Sequence, residues 1–205
     1  MSILQGKVEE RDIMTLEELI GRVAGCHACD LSGTRVRFVP PEGDRRSRIM
    51  MIAQAPGEME NLEGRMFCGP SGKIFDELLE EAGVCREQVY LTNLIKCMLP
   101  KARRPSRRHL EACGRWLEEE IRLLQPRILI PLGFQALKSL LIRQGVPRPP
   151  KKEYRHLFGR YLQAGDLLLY PLRHPTFLLF NPDKREMMSR EYAELKKIIA
   201  KYGEG

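Results

Sequence analysis

Four of the six cysteines are spaced as the ligands of a metal centre. Cys26-His-Ala-Cys29 is a Cys-x-x-Cys pair, in which a single turn points both thiolates the same way. Cys97 and Cys113 follow far downstream as single residues. Four thiolates suit either Zn²⁺ or an iron–sulfur cluster. Structural zinc usually brings two close pairs, so one pair followed by scattered single cysteines favours the cluster. Two plainer readings stay open: a redox dithiol at Cys26 and Cys29, and an ordinary core cysteine at Cys113. Cys68 and Cys85 read as free thiols. Disulfides are disfavoured in the cytosol, where clustered cysteines more often mean metal or catalysis.

Charge points to a partner class. The chain carries 34 Lys+Arg against 27 Asp+Glu, a formal +7 with a pI near 9.2. That excess permits binding to a polyanion without identifying one. Lys96, Lys101, Arg103, Arg104, Arg107 and Arg108 form a stretch with no acid among them, and Lys151, Lys152, Arg155 and Arg160 form a second. Such loops contact phosphate where they flank a site and are otherwise merely solvated. No apolar run approaches the roughly 18 residues needed to span a bilayer. The polar start around Glu9 to Asp12 lacks the apolar core of a signal peptide. The expectation is a cytoplasmic protein, monomeric and without membrane contact.

These residues need a scaffold. A chain of 205 residues suits one domain over 1–205. Arg48 to Gln54, Val89 to Ile95 and Arg127 to Leu132 read as buried strands. Tyr161 to Gln163 and Leu167 to Tyr170 read as a final strand pair. Apolar spacing predicts helices over Gly72–Ala82, Leu110–Leu124, Gln135–Leu141 and Arg185–Lys201. Strands alternating with helices imply a mostly parallel sheet covered on both faces, with sites where strand C-termini enter loops. Three polar segments lie at such exits: Gln54 to Glu58, Asn93 to Cys97, and Arg173 to Pro175. One site assembled from all three is predicted.

Several motifs occur in a fixed order: Cys26-x-x-Cys29; Gln54-Ala-Pro-Gly-Glu58; Gly64-Arg-Met-Phe-Cys-Gly69 with Gly72; Thr92-Asn-Leu-Ile-Lys-Cys97; Cys113; Pro131-Leu-Gly133; and His174-Pro-Thr-Phe-Leu-Leu-Phe-Asn-Pro182. From about Cys26 to Pro182 the chain resembles the family 4 uracil-DNA glycosylases, the iron–sulfur branch of that superfamily. The resemblance implies a three-layer α/β/α sandwich with a central four-stranded parallel sheet. It implies a [4Fe–4S] cluster on Cys26, Cys29, Cys97 and Cys113, with zinc as the alternative, and DNA containing uracil as the substrate. The cluster's implied task is to hold the basic Lys96–Arg108 loop against DNA.

The resemblance also implies roles. Uracil within a duplex is hidden and must be extruded into a pocket. Phe67 is the implied stacking ring, and Asn93 the reader of uracil O4 and N3–H. His174 is the implied donor toward O2 as negative charge builds there. Ala55, Gly57 and Glu58 belong to the implied uracil-binding motif. Ser71, Arg103, Arg104 and Arg107 are candidate DNA contacts, and Leu178-Leu179 a candidate wedge for the vacated space. Two positions depart from the family pattern. Gln54 stands where the family carries a glutamate that orients or deprotonates water, and Phe180 where it often carries a basic residue. Gln54 can hold a water but cannot take its proton, so slow excision is expected, with Glu58 and Glu60 close enough in the sequence to substitute in part. The competing readings are a damage-binding protein on the same fold, a glycosylase of altered base preference, and an unrelated zinc-stapled hydrolase.

Overall fold

A computed structural model describes residues 14–100, 104–147 and 149–203. Its strands are β1 (Glu42–Gly43), β2 (Ile49–Ala53), β3 (Tyr90–Asn93), β4 (Ile128–Pro131), β5 (Leu162–Ala164) and β6 (Leu167–Leu169). The helices are α1 (Leu16–Ala24), α2 (Glu58–Glu63), α3 (Pro70–Glu81), α4 (Arg107–Leu124), α5 (Phe134–Arg143), α6 (Thr176–Phe180), α7 (Arg185–Ala193) and α8 (Leu195–Tyr202). The six strands form one sheet in the order β1-β3-β2-β4-β6-β5. The four inner strands pair in parallel, and β1 and β5 add antiparallel edges. The expected four-stranded parallel sheet is therefore the centre of a wider one. Strand β1 is too short to announce itself in the sequence, and β5 is the first arm of the expected Tyr161–Tyr170 pair.

All five residues of β2 are buried, as a strand covered on both faces requires. Because successive side chains point to opposite faces, Ile49, Met51 and Ala53 enter one core with Phe75, Leu78 and Leu79 of α3, Met188 and Tyr192 of α7 and Ile198 of α8. Met50 and Ile52 enter a second core with Leu117 of α4 and Leu137 and Leu140 of α5. Helices thus cover both faces, giving the α/β/α sandwich. The single C-terminal helix expected over Arg185–Lys201 is broken into α7 and α8 at Glu194, which neither proline nor glycine imposes. No helix among the described residues is long and apolar enough to cross a membrane.

One polar network lies inside the second layer. Lys96 is 5% exposed and Glu120 2%. The Lys96 ammonium meets a Glu120 carboxylate oxygen at 2.7 Å and the Thr92 hydroxyl at 2.8 Å. Tyr90 donates to the same carboxylate at 3.3 Å. Lys96 therefore does not belong to a solvated basic loop; it fastens the exit of β3 to the middle of α4. Removing one partner of a buried, hydrogen-bonded pair leaves an uncompensated charge, at about 3–5 kcal/mol. Glu120→Ala should lower the unfolding free energy by that amount in a urea titration, and the paired Lys96→Met/Glu120→Leu exchange by clearly less.

Candidate active site

The C-terminal ends of the parallel strands open onto a cavity of about 610 Å³. Gln54 and Ala55 follow β2, Asn93 ends β3, and Gly133 follows β4; all line the cavity. His174 lines it from the segment beyond β6, and Phe67 from the turn between α2 and α3. The three polar exits expected from the sequence are thus brought together. The β2 and β3 exits are joined by backbone bonds from the Leu94 N–H to the Ala53 carbonyl and from the Ile95 N–H to the Gln54 carbonyl, each 2.9 Å.

Phe67 forms one wall. Its ring stacks on Phe75 with centroids 4.3 Å apart and planes at 18°, and lies 5.8 Å from the His174 ring. Its backbone adopts φ 51°, a left-handed conformation unusual for a non-glycine residue. Gly72 in the first turn of α3 lies so near that an added Cβ would overlap the Phe67 carbonyl. Only glycine permits the turn to press against the helix there.

Asn93 is 5% exposed, and its carboxamide has no hydrogen-bond partner among the described residues. An amide with one acceptor and two donors facing the cavity is available to a ligand. His174 differs, because one ring nitrogen is already engaged. Nδ1 accepts the Thr176 backbone N–H at 3.2 Å and lies 2.8 Å from the Thr176 hydroxyl. A backbone N–H can only donate, so in the neutral ring the proton sits on Nε2. Burial holds the imidazole pKa down to about 4, so at neutral pH the residue is an uncharged Nε2–H donor.

Glu60, which the resemblance did not assign, lines the same cavity. Its Oε1 accepts the Gly69 N–H at 3.3 Å. Its Oε2 packs against Gly57 so closely that a Cβ there would displace the carboxylate. Glu60 thereby ties the first motif to the Phe67 turn. Glu58 also lines the cavity but is solvent-exposed. The sequence signal for Glu60 is its place nearly one helical turn after Gly57, inside α2.

Among the expected DNA contacts, Ser71 lines the cavity at the start of α3. Arg104 and Arg107 are exposed, and Arg107 pairs with Glu111 at 2.7 Å. Arg103 lies outside the described residues. Leu178 is 6% exposed and packed in the first core, so it cannot act as a wedge. The helical turn of α6 instead turns Leu179 outward at 46% exposure and Phe180 at 80%.

The four cysteines also converge. Cys26, Cys29, Cys97 and Cys113 line one small pocket with Lys96, Arg35 and Trp116. None of the six cysteines is in a disulfide. Burial pushes the Cys97 thiol up to about 11, with the other three cysteines adding to the shift and Arg35 opposing it. Burial likewise raises Cys113, against the Lys96 backbone N–H. For Cys26, burial acts upward but is outweighed by the Ala28 N–H, Trp116 and Arg115. Among the described residues no three His, Cys, Asp or Glu side chains are disposed to enclose a single metal ion.

A sequence model of the uracil DNA glycosylase superfamily matches residues 40–199. The chain belongs to that superfamily. Its relatives include the type-4 uracil-DNA glycosylase of Thermotoga maritima, 33% identical over 196 residues, spanning 92% of this chain and 99% of that one. The type-4 enzyme of Saccharolobus solfataricus is 32% identical over 187 residues, 90% and 87% of the two chains. A type-5 uracil-DNA glycosylase from Thermus thermophilus is 37% identical over 148 residues, 65% and 67%. Within the superfamily's framework, the cavity occupies the segments that carry the ordered motifs.

The depressed His174 pKa has a sign. In the unfolded chain the ring takes up a proton near 6.5, in the folded one near 4. Unfolded chains therefore bind the extra proton between these values, and stability falls as pH drops through that window. In a ¹H–¹⁵N titration the His174 ring signals should stay those of the neutral Nε2–H form from about pH 7.5 to 5.5, with no inflection near the ordinary value of about 6.5.

Proposed function

We propose that this protein excises uracil from DNA, using the cavity at the strand exits to hold the extruded base. The observation that carries this reading is the convergence of Phe67, Asn93 and His174 on one cavity. The relatives named as uracil-DNA glycosylases supply its chemical class.

Each wall then has a task. Phe67, backed by Phe75, offers an aromatic face for the flipped base to stack on. The open carboxamide of Asn93 pairs with uracil O4 and N3–H. Cytosine presents the opposite pattern at those two positions and is left unmatched by an amide held in the uracil-reading orientation. The Nε2–H of His174 donates to O2 as the glycosidic bond breaks and the leaving base becomes anionic. A donor placed for charge that develops only in the transition state is worth about 3 kcal/mol. Because His174 is neutral beforehand, it costs no ion pair to expose it to the ground state. Gln54 holds the attacking water on the sugar side without removing its proton. Glu60, through its contacts with Gly69 and Gly57, helps keep the first motif's loop closed on the base.

Outside the pocket, Leu179 and Phe180 present apolar surface for the gap that extrusion leaves in the base stack. Ser71, Arg104 and Arg107 give the sequence-independent phosphate contacts, which are expected to weaken with salt.

The four cysteines fit an iron–sulfur cluster. Four thiols surround one small pocket, lined also by Arg35, with the Ala28 and Lys96 backbone N–H groups directed at Cys26 and Cys113. These N–H groups and Arg35 favour thiolate sulfur, against the burial that opposes it at Cys97 and Cys113. When bound, the cluster supplies cross-links between the Cys26–Cys29 loop, the segment after β3, and α4, with no part in bond cleavage.

Incubation with a uracil-containing oligonucleotide, followed by alkali, should cleave the strand at the uracil. His174→Ala should slow single-turnover excision by about 10²–10³-fold. Gln54→Glu should speed it by about 10²-fold, the scale of general-base assistance; an unchanged rate would remove Gln54 from the water site. Cys113→Ala should abolish the brown colour and acid-labile sulfide of the purified protein.

A further inference from the structure

We propose that Arg86 is a positioning residue for uracil recognition: it sets the Phe67 ring through the peptide groups on either side of it. The proposal rests on the reading of Phe67 as the stacking wall.

Arg86 lies in the short helical turn ahead of β3 and is not among the residues that line the cavity. All five of its guanidinium N–H groups have acceptors. Nε and one terminal nitrogen grip the two Asp76 carboxylate oxygens at 2.7 and 3.1 Å. That second nitrogen also donates to the Phe67 carbonyl at 2.8 Å. The other terminal nitrogen donates to the Met66 carbonyl at 2.9 Å and to Glu42 at 3.4 Å. The second Glu42 oxygen accepts the Met66 N–H at 2.7 Å.

The arrangement has a specific geometric result. The Met66 carbonyl belongs to the peptide before Phe67, and the Phe67 carbonyl to the peptide after it. One rigid, planar group that holds both fixes the two torsions between them. Those torsions are the unfavourable ones, at φ 51°, a strain that persists only where surrounding structure imposes it. The guanidinium also lies 5.6 Å from the Phe75 ring centroid and 6.0 Å from that of Phe67, on the stacked pair itself. Asp76 from α3 and Glu42 from β1 anchor the cation, so the ring is preset before any base arrives. A lysine offers three donors from a point and cannot reproduce a five-donor planar fork.

The test is a double-mutant comparison in the full-length protein, with single-turnover excision from a uracil oligonucleotide as readout. Arg86→Lys should lower the rate by about 100-fold, the scale of a displacement near 1 Å in a binding group. It should weaken inhibition by free uracil in parallel, with affinity for undamaged duplex unchanged. In a Phe67→Ala background the same Arg86→Lys exchange should have no further effect, because its influence runs through that ring. A wild-type rate for Arg86→Lys overturns the proposal, as does an equal loss in the Phe67→Ala background. Should Arg86→Lys fail to fold, Asp76→Asn, which loosens the anchor and keeps the guanidinium, takes its place: the same two outcomes support the proposal or overturn it. If the wild-type protein excises no uracil, the functional reading fails and the clamp is judged separately by hydrogen exchange. Arg86→Lys should then deprotect the Met66–Gly69 amides selectively, and unchanged exchange there overturns it.

Discussion

The pairing between β2 and β3 continues past the strands, and the site depends on that continuation. Two backbone bonds, Leu94 to Ala53 and Ile95 to Gln54, carry the ladder into the loops, so the side chains of Gln54 and Asn93 stay on a common rim. On the other side of the sheet's centre, the Gly133 N–H bonds the Leu172 carbonyl at 2.8 Å, and Leu132 bridges to Leu172. That second extension brings the His174 segment to the mouth of β4. Parallel strands all leave the sheet at the same edge, so three chain segments far apart in sequence meet there without any long loop. A cavity lined by their first polar residues follows from the topology once the exits are zipped.

Much of this is legible in the sequence, for identifiable reasons. The buried strands are short apolar runs bounded by charge and turn residues, and α3, α4, α5 and the C-terminal helices carry three-to-four spacing, so a mostly parallel sheet covered on both faces can be read from the pattern. Edge strand β1 has two residues and no pattern, which hides both the strand and Glu42 upon it. Position on a helix face misleads at Leu178: the apolar pair Leu178-Leu179 is one residue out of phase with exposure, because α6 buries the first and turns the second outward. Lys96 misleads for a comparable cause. Its basic neighbours suggest solvent, and nothing in the local sequence reveals Glu120, 24 residues away on α4. Arg86 stays hidden because it acts through backbone groups, which no side-chain motif records, whereas Glu60 is legible as an acid close to Gln54.

The segment from Asn93 to Leu99 shows how the site and the cysteines are mechanically linked. After β3 it runs through the interior with almost every side chain buried, yet without regular structure to hold it. Asn93 opens it, Lys96 ties it to α4, Cys97 joins the thiol pocket, and the Met98 carbonyl accepts the Thr34 hydroxyl at 2.7 Å. Met98 and Leu99 then return to the cavity wall. A buried loop must satisfy its polar groups by specific partners or lose its conformation. Here those partners come from α4 and from the stretch that carries Cys26 and Cys29. Cross-linking the four cysteines would therefore stiffen the short segment that leads back to Asn93.

Selectivity and speed are separable in the proposed reaction, and an amide at position 54 bears only on the second. Base identity is there read by Asn93 and His174, an open amide and a neutral Nε2–H donor, both held in a mostly apolar cavity where an unmatched partner leaves a desolvated group unpaired. Neither depends on a charge at position 54. What a glutamate there would add is attraction to the cationic sugar and a proton acceptor for water, and both act only after the base has been accepted. Replacing the carboxylate by an amide therefore removes transition-state stabilisation on the sugar side and leaves the reading of uracil, and of the anion it becomes, in place. On the proposed reading, a base-recognition wall of Phe67, Asn93 and His174 faces a sugar-side wall that carries the Gln54 amide. On the uracil reading, such a pocket keeps its discrimination between bases and gives up speed.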